Sequence, residues 1–423
     1  MRIYIIGGGA SGIAAAIAAA RKGAAVTILE HKDRIGKKIL ATGNGRCNLT
    51  NLHMEASCFR GDDTAIVDKV LRRFDAEDTL KFFRDLGLLT KTRGNYVYPR
   101  TDQASTVLEI LLMELRRLHV HLETDTHVTS VEKTKKGFRI RASQKEKGEK
   151  VYHADKVILA SGGKAASAQG SDGSGYGLAK AMGHSLSPVV PALTALRASE
   201  KIFSRLAGIR TEATVTLYLD GREIAADTGE LQLTNYGISG IPVFQVSRYA
   251  SKGLYQKKEV TARIDFLPAM CEKEFLLYLS ERKRKETDTV MEEFLIGVFH
   301  KKLIPIFLEY AGIGCHMKAE VVSEADFQRL VKTCKGFPVH IIAANSFEQA
   351  QVCAGGVRTA QVKADTLESI YTPGFYLTGE LLDIDGICGG YNLQWAWATG
   401  YLAGRDAAAE RVHRTDRRTY DSD

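Results

Sequence analysis

At 423 residues, 44% of them hydrophobic, the chain is too long for one ordinary core, so two or three domains and an enzyme-sized architecture are expected. Its 58 Lys and Arg against 50 Asp and Glu give a net charge of +8, but the signs are interleaved, which suits a solvated surface around an anionic cofactor and disfavours nucleic-acid binding. Seven cysteines without a CxxC spacing exclude a disulfide framework or a zinc site, no other metal-ligating set is read, and no stretch has the length of a membrane span, so a soluble, cytoplasmic protein is expected.

Arg2 to Ile6 reads as a buried strand, Gly7-Gly8-Gly9-Ala10-Ser11-Gly12 as a GxGxxG turn, Ser11 to Lys22 as a helix, and Ala25 to Glu30 as a second strand. The apolar start is broken by glycines where a dinucleotide fold needs them, so it is not read as a signal peptide. Gly7 permits the tight turn, Gly9 lets backbone approach a pyrophosphate, and Gly12 lets helix pack on strand. Ala10 and Ser11 then offer free N–H groups at the positive end of the helix. Glu30, about 20 residues on, is placed to accept hydrogens from a ribose diol and would repel a 2′-phosphate, which suits the ADP half of FAD or NAD.

His31 to Asn51 has no regular periodicity and reads as a long ordered loop beside the first strand ends. Lys37, Lys38 and Arg46 can neutralise phosphate or a reduced flavin, with Gly45 and Cys47 beside them. Cys47 is either a redox thiol or a packed one, and with no partner cysteine nearby the packed thiol is favoured. Ala65 to Leu86 has the pattern of a surface helix, Tyr96 to Pro99 that of an extended piece, and Gln103 to Leu118 that of another amphipathic helix. Val120 to Leu122, Val128 to Lys133 and Gly137 to Arg141 read as a three-stranded meander followed by a charged tip, Gln144 to Lys150. Val128 is the candidate backbone contact on the adenine side. Lys156 to Gly163 is a strand running into a glycine turn, bringing Ser161, Gly162 and Gly163 beside the cofactor. The glycines from Gly170 to Gly177 follow no strand and are not a second fingerprint, so no separate nicotinamide domain is read.

Pro188 to Phe266 is β-rich, including GELQLTNYGISGIPVFQVS, with turns at Asp220-Gly221 and Asp227-Thr228-Gly229. Ala269 to Leu330 is helical and charged; its basic run Arg282 to Lys285 reads as a solvated helix face. Phe375 to Thr378 is a late strand ended by Gly379-Glu380. Asp383 is placed to bond a ribityl hydroxyl, and the Gly389-Gly390 turn opens a helix from about Asn392. Backbone N–H groups of Asn392 and Leu393 would face the flavin pyrimidine edge, where charge accumulates on reduction. The expected fold is α/β: a Rossmann-like cofactor domain formed by residues 1–190 and 346–423, interrupted by a β-rich insertion over 191–268 with return strands near 335–345 and by a helical insertion over 269–334.

GGGASG at Gly7 to Gly12, ATGNGRCNLTN at Ala41 to Asn51, GELQLTNYGISG at Gly229 to Gly240 and TGELLDIDGICGGYNLQWAWATG at Thr378 to Gly400 together resemble the BaiN/YhiN-like flavoproteins, also labelled aminoacetone oxidase family FAD-binding enzymes. The resemblance implies a discontinuous FAD-binding domain of the two-dinucleotide-binding-domain flavoprotein type, with the β-rich insertion forming a β-barrel-like domain beside the helical one and FAD extended between the N-terminal fingerprint and the C-terminal helix. It also implies an NAD(P)H-linked oxidoreductase, with unsaturated steroid or bile-acid ketones as the best-known suggestion for a substrate. Asn235 stands where the family usually has histidine, so no acid–base role is carried over to it.

The reading that follows is an FAD enzyme, a reductase in preference to an oxidase. It takes hydride from NADH or NADPH and passes it through flavin N5 to a small organic acceptor. Arg46, Asn48 and Tyr391 are the candidate catalytic groups near the ring; each is also able simply to fix the flavin. A flavin-dependent RNA-modifying enzyme and a non-enzymatic redox sensor or scaffold stay open as alternatives. Substrate identity, the choice of nicotinamide and the oligomeric state are not legible in the sequence.

Overall fold

The computed structural model describes residues 1–144 and 148–409. Its centre is a five-stranded parallel sheet in the order Phe375–Leu377, Lys156–Leu159, Arg2–Ile6, Ala25–Leu29, His121–Glu123. The central strand is covered on both faces, as parallel sheets require: Ile3 and Ile5 are fully buried on one, and Ile6 is buried and Tyr4 half-buried on the other. The helix Ala10–Ala20 lies on this sheet and the C-terminal helix Tyr391–Ala407 packs on it. That crossing depends on two small residues one turn apart. A Cβ on Gly400 would stand 2.1 Å from the Ser11 carbonyl oxygen, and one on Gly404 2.1 Å from that of Ala15.

A meander of Thr126–Thr134, Gly137–Gln144 and Gly148–Ala154 flanks the sheet. Its membership differs from the sequence reading. His121–Glu123 is claimed by Ala25–Leu29 as the parallel edge strand, and the charged tip continues into the third strand, with residues 145–147 outside the described residues. Ala65 to Leu86 is two helices, Ala65–Leu71 and Ala76–Asp85, because Asp75 starts the second with a capping box to Asp78. The expected loop after Glu30 contains a short helix, Lys37–Ala41.

Six antiparallel strands close a barrel: Leu196–Ala198, Gly237–Gly240, Arg222–Thr234, Arg210–Leu219, Val260–Asp265 and Phe337–Ala344. Ala213, Val215 and Leu217 alternate inward along one strand and Ala262 and Ile264 along its neighbour, the period-two pattern of a half-buried strand. Asp220-Gly221 makes the expected hairpin turn. Asp227-Thr228-Gly229 does not: it runs straight within Arg222–Thr234, where Thr228 pairs with Thr214. IPVFQVS, read as β, opens the helix Ile241–Tyr255. Pro242 fits its first turn, where an N–H has no partner, and Val243, Val246 and Ala250 supply one apolar face to the barrel. Glu272–Lys285, Met291–Phe294, Ile304–Ala311 and Glu324–Lys335 are helical, and share a hydrophobic core with the barrel through contacts such as Phe266 with Phe307 and Phe337.

Candidate functional site

A cavity of about 770 Å³ opens where the parallel strands end, at Ile6, Leu29 and Ala160. This is where open α/β sheets bind ligands, and the volume falls in the upper part of the ~300–1,000 Å³ range of cofactor and small-molecule sites.

Gly7, Gly9, Ala10 and Ser11 line one end. Gly7 has a φ of +104°, and a Cβ there would stand 2.5 Å from the Ala160 carbonyl oxygen; one on Gly12 would stand 2.0 Å from that of Gly7. Gly12 therefore serves packing and does not itself line the cavity, whereas a Cβ on Gly9 would meet nothing within 4 Å among the described residues beyond its own chain neighbours. Glu30 is buried on the cavity wall, its Oε2 accepting the Gly8 N–H at 2.8 Å and its Oε1 the Lys32 N–H at 2.9 Å. Two backbone donors thus fix the carboxylate while each oxygen keeps capacity for another hydrogen. Val128 lines the same end, joined by His31 and His127, whose rings meet edge-on at 6.1 Å.

Lys37 and Lys38 also line the cavity, but each is paired within the chain: Lys37 with Asp33 at 2.5 Å, Lys38 with Glu380 at 2.7 Å and with the Ala165 carbonyl at 3.2 Å. Glu380, itself a lining residue, uses its other oxygen to accept the Cys353 N–H at 2.9 Å. Ser161 and Gly162 complete this wall.

At the other end Gly390, with φ +95°, opens the C-terminal helix toward the cavity. The N–H groups of its first turn have no intrahelical acceptor, so donors and the positive dipole end are presented together. Asn392 and Leu393 line this end; the Asn392 side chain turns back, accepting the Gly386 N–H at 2.8 Å and donating to its carbonyl at 2.9 Å. Asn48 stands beside Gly390, and among the described residues its buried Oδ1 has no hydrogen-bond partner and the Ser161 hydroxyl likewise has none. Buried polar atoms are normally satisfied, so two orphans on a cavity wall mark where a polar ligand would bond. Glycine approach at one end, a fixed carboxylate, two helix N-termini and these orphans fit an extended dinucleotide.

Other residues expected here lie elsewhere. Arg46 and Gly45 are exposed and outside the lining, because the tight Thr42–Gly45 turn faces them to solvent. Cys47 is fully buried; burial pushes its thiol up to about 12 despite a bond from Thr42, which makes it a packed thiol. Tyr391 is buried with its ring edge-on to Phe59 at 5.8 Å, and burial raises its phenol above the ordinary range. Gly163 and Gly379 sit behind the lining, and Asp383 accepts the Asp62 N–H at 3.2 Å in place of facing the cavity.

The sequence reading missed an apolar wall. Leu193, Val352 and Cys388 belong to one hydrophobic cluster and line the cavity together with Ile241, the first residue of the barrel helix. Leu193 holds a φ of +49°, uncommon for a branched side chain and the kind of strain that gathers at ligand sites. Burial pushes the Cys388 thiol up to about 12, so it contributes apolar surface and not a thiolate. Only Cys388, next to the Gly389-Gly390 turn, had a signal in the sequence.

Sheet, glycine turn and cavity define a Rossmann-type dinucleotide-binding protein. The chain belongs to the HI0933-like family, whose Rossmann-domain model matches residues 1–406; the BaiN/YhiN-like resemblance points to the same family. It is 56% identical over 412 residues to the 3-dehydro-bile acid delta(4,6)-reductase of Clostridium scindens, covering 97% of this chain and 99% of that one. It is 27% identical over 402 residues to the ribosomal RNA dihydrouridine synthase of Haemophilus influenzae, covering 94% and 96%. Among solved structures, 3-ketosteroid delta1-dehydrogenase from Sterolibacterium denitrificans shares the fold with a TM-score of 0.52 at 12% identity, covering 96% and 99%. The chain is an FAD-dependent oxidoreductase of this family. Among the described residues no helix is long and apolar enough to cross a membrane.

Proposed function

We propose that this enzyme reduces the conjugated carbon–carbon double bond of an apolar polycyclic ketone of the steroid or bile-acid kind, with NADH or NADPH as electron source. The observation that carries the reading is the wall of Leu193, Ile241, Val352 and Cys388 in the same cavity as the dinucleotide end. Such a wall favours an extended hydrocarbon and excludes water from the reacting carbons. The bile-acid reductase at 56% identity supports the same substrate class.

When bound, FAD would supply reversible hydride chemistry between the nicotinamide and the electron-poor carbon of the acceptor. The chain's residues would do the holding. Glu30 would accept ribose hydroxyls, Ala10 and Ser11 would offer N–H groups to the pyrophosphate, and Val128 would present backbone to the adenine side. Asn392 and Leu393 would direct N–H groups at the pyrimidine edge, and Asn48 would bond there through its unpartnered oxygen. Arg46 and Tyr391 are given no contact. The division into a discontinuous FAD-binding part with barrel and helical insertions belongs to the same reading: the first holds the cofactor, and the barrel, through Ile241, closes the acceptor end.

A second reading, saturation of a pyrimidine in RNA, is favoured by the 27% identity to a dihydrouridine synthase and involves a double bond similarly conjugated to a carbonyl. The two separate when FAD-loaded protein is titrated with a steroid enone and with a uridine-rich oligonucleotide. The enone should perturb the flavin spectrum saturably and the oligonucleotide should not; the reverse would replace the first reading with the second.

A further inference from the structure

The barrel helix Ile241–Tyr255 has two unlike faces. Val243, Val246 and Ala250 enter the barrel core, while Gln245, Arg248, Tyr249 and Lys252, at i, i+3, i+4 and i+7, form a polar stripe on another face. Every member of the stripe crosses to the segments around the cofactor end of the cavity. Gln245 accepts the Cys388 N–H at 3.0 Å, the Tyr249 hydroxyl accepts from Arg60 Nε at 3.0 Å, and Lys252 pairs with Asp62 at 2.9 Å. Arg248 grips Asp385 with two parallel bonds, both 2.9 Å, and both side chains are almost fully buried.

Asp385 and Gly386 form a short strand paired with Phe59–Arg60, and Gly386 is held on both its N–H and its carbonyl by the Asn392 side chain. A continuous set of bonds therefore leads from the barrel, through Arg248 and Asp385, to the first turn of the C-terminal helix. Burial pushes the Asp385 carboxyl up to about 6 while Arg248 and Arg60 pull it down, so the carboxylate depends on its partner.

We propose that Arg248 and Asp385 are positioning residues for the cofactor. Their ion pair sets the aim of the 386–390 turn and of the C-terminal helix N-terminus, and so couples the position of the barrel to the electronic environment of the flavin ring. The inference rests on the flavin reading for its second half only. A well-packed apolar pair can replace a buried ion pair with little loss of stability, whereas removing one partner strands a buried charge. The informative protein is therefore the double variant Arg248→Met/Asp385→Leu, with Arg248→Lys, which keeps charge but not the two-bond fork, as the graded control.

Hydrogen exchange on the cofactor-free full-length chain reads the turn directly. The amides of Gly386, Ile387 and Gln394, bonded to Asn392, Cys58 and Gly390 respectively, should exchange about tenfold faster in the double variant, with barrel amides unchanged. On the FAD-loaded proteins the flavin midpoint potential should fall, with Arg248→Lys between parent and double variant. Unchanged protection of the turn overturns the proposal. So does faster exchange with an unchanged potential, which would leave the pair a purely structural link. A chain that takes up no flavin would refute the cofactor reading separately, and the exchange data would still decide whether the pair holds the turn. Should the double variant not fold, the same two measurements on Arg248→Lys decide by the same criteria.

Discussion

Replacing Glu30 by Gln keeps size and shape and changes only the acceptor character of the group. In the parent, one carboxylate oxygen takes the Gly8 N–H at 2.8 Å and the other the Lys32 N–H at 2.9 Å. An amide has one oxygen, so in either orientation its NH2 is turned against a backbone N–H. One charge-assisted bond is lost outright and the other weakened, and any ribose hydroxyl loses a charged acceptor. The expected cost is about 1–3 kcal/mol, or roughly 5- to 140-fold in FAD dissociation constant. Quenching of flavin fluorescence on titrating FAD with apoprotein measures that constant. Thermal unfolding of the apoprotein measures separately the share that falls on the fold through Gly8 and Lys32. Unchanged FAD affinity would show that Glu30 is not the ribose ligand.

Gly390→Val places a β-branched residue at φ +95°, with its Cβ 2.7 Å from the Thr50 carbonyl oxygen, so the helix N-terminus should shift and the flavin potential fall by the equivalent of about 0.3–2 kcal/mol. The same change at Gly312, which has a comparable φ of +71° but lies outside the cavity lining, should leave the potential alone, and a Gly390→Val protein with bound FAD and the parent potential would refute the aim assigned to that helix. Cys47→Ser should leave flavin reduction and reoxidation rates at parent values, because the thiol is buried and pushed up to about 12; loss of either half-reaction would restore a redox role. At Glu123, burial opposes ionisation but bonds from Lys150, His121 and Gln144 outweigh it and hold the carboxyl at about 2. Its folded value lies below the ordinary 4.5, so its stabilisation is present above pH 4.5 and is lost as pH falls toward 2. Urea midpoints of Glu123→Gln and parent should therefore converge across that window, and parallel curves would contradict the assignment.

What the sequence revealed of the site depends on how local each feature is. Gly7 to Gly12 and Glu30 were legible because one βαβ unit fixes their mutual placement within 30 residues. The Gly389-Gly390 turn was legible for the same reason. The apolar wall was not: Leu193 and Val352 meet only because Val190–Ala192 pairs with Val352–Ala354 across more than 150 residues of intervening chain. Arg46 and Tyr391 show the opposite limit, since each adjoins a lining segment in sequence yet its side chain points elsewhere. The helix Ile241–Tyr255 was misread because so short an apolar run as IPVFQV fits a strand's period as well as a helix's, and only the barrel surface selects between them.

Anaerobic stopped-flow decides whether one cavity holds FAD beside an apolar site for a conjugated ketone. The purified FAD-loaded protein is reduced with NADH or NADPH and then mixed with a steroid enone, a quinone or oxygen. One of the nicotinamides should bleach the flavin, and the enone should restore its absorbance faster than oxygen does, with a saturated product. Reoxidation by oxygen or quinone alone, with the enone inert, would contradict that arrangement.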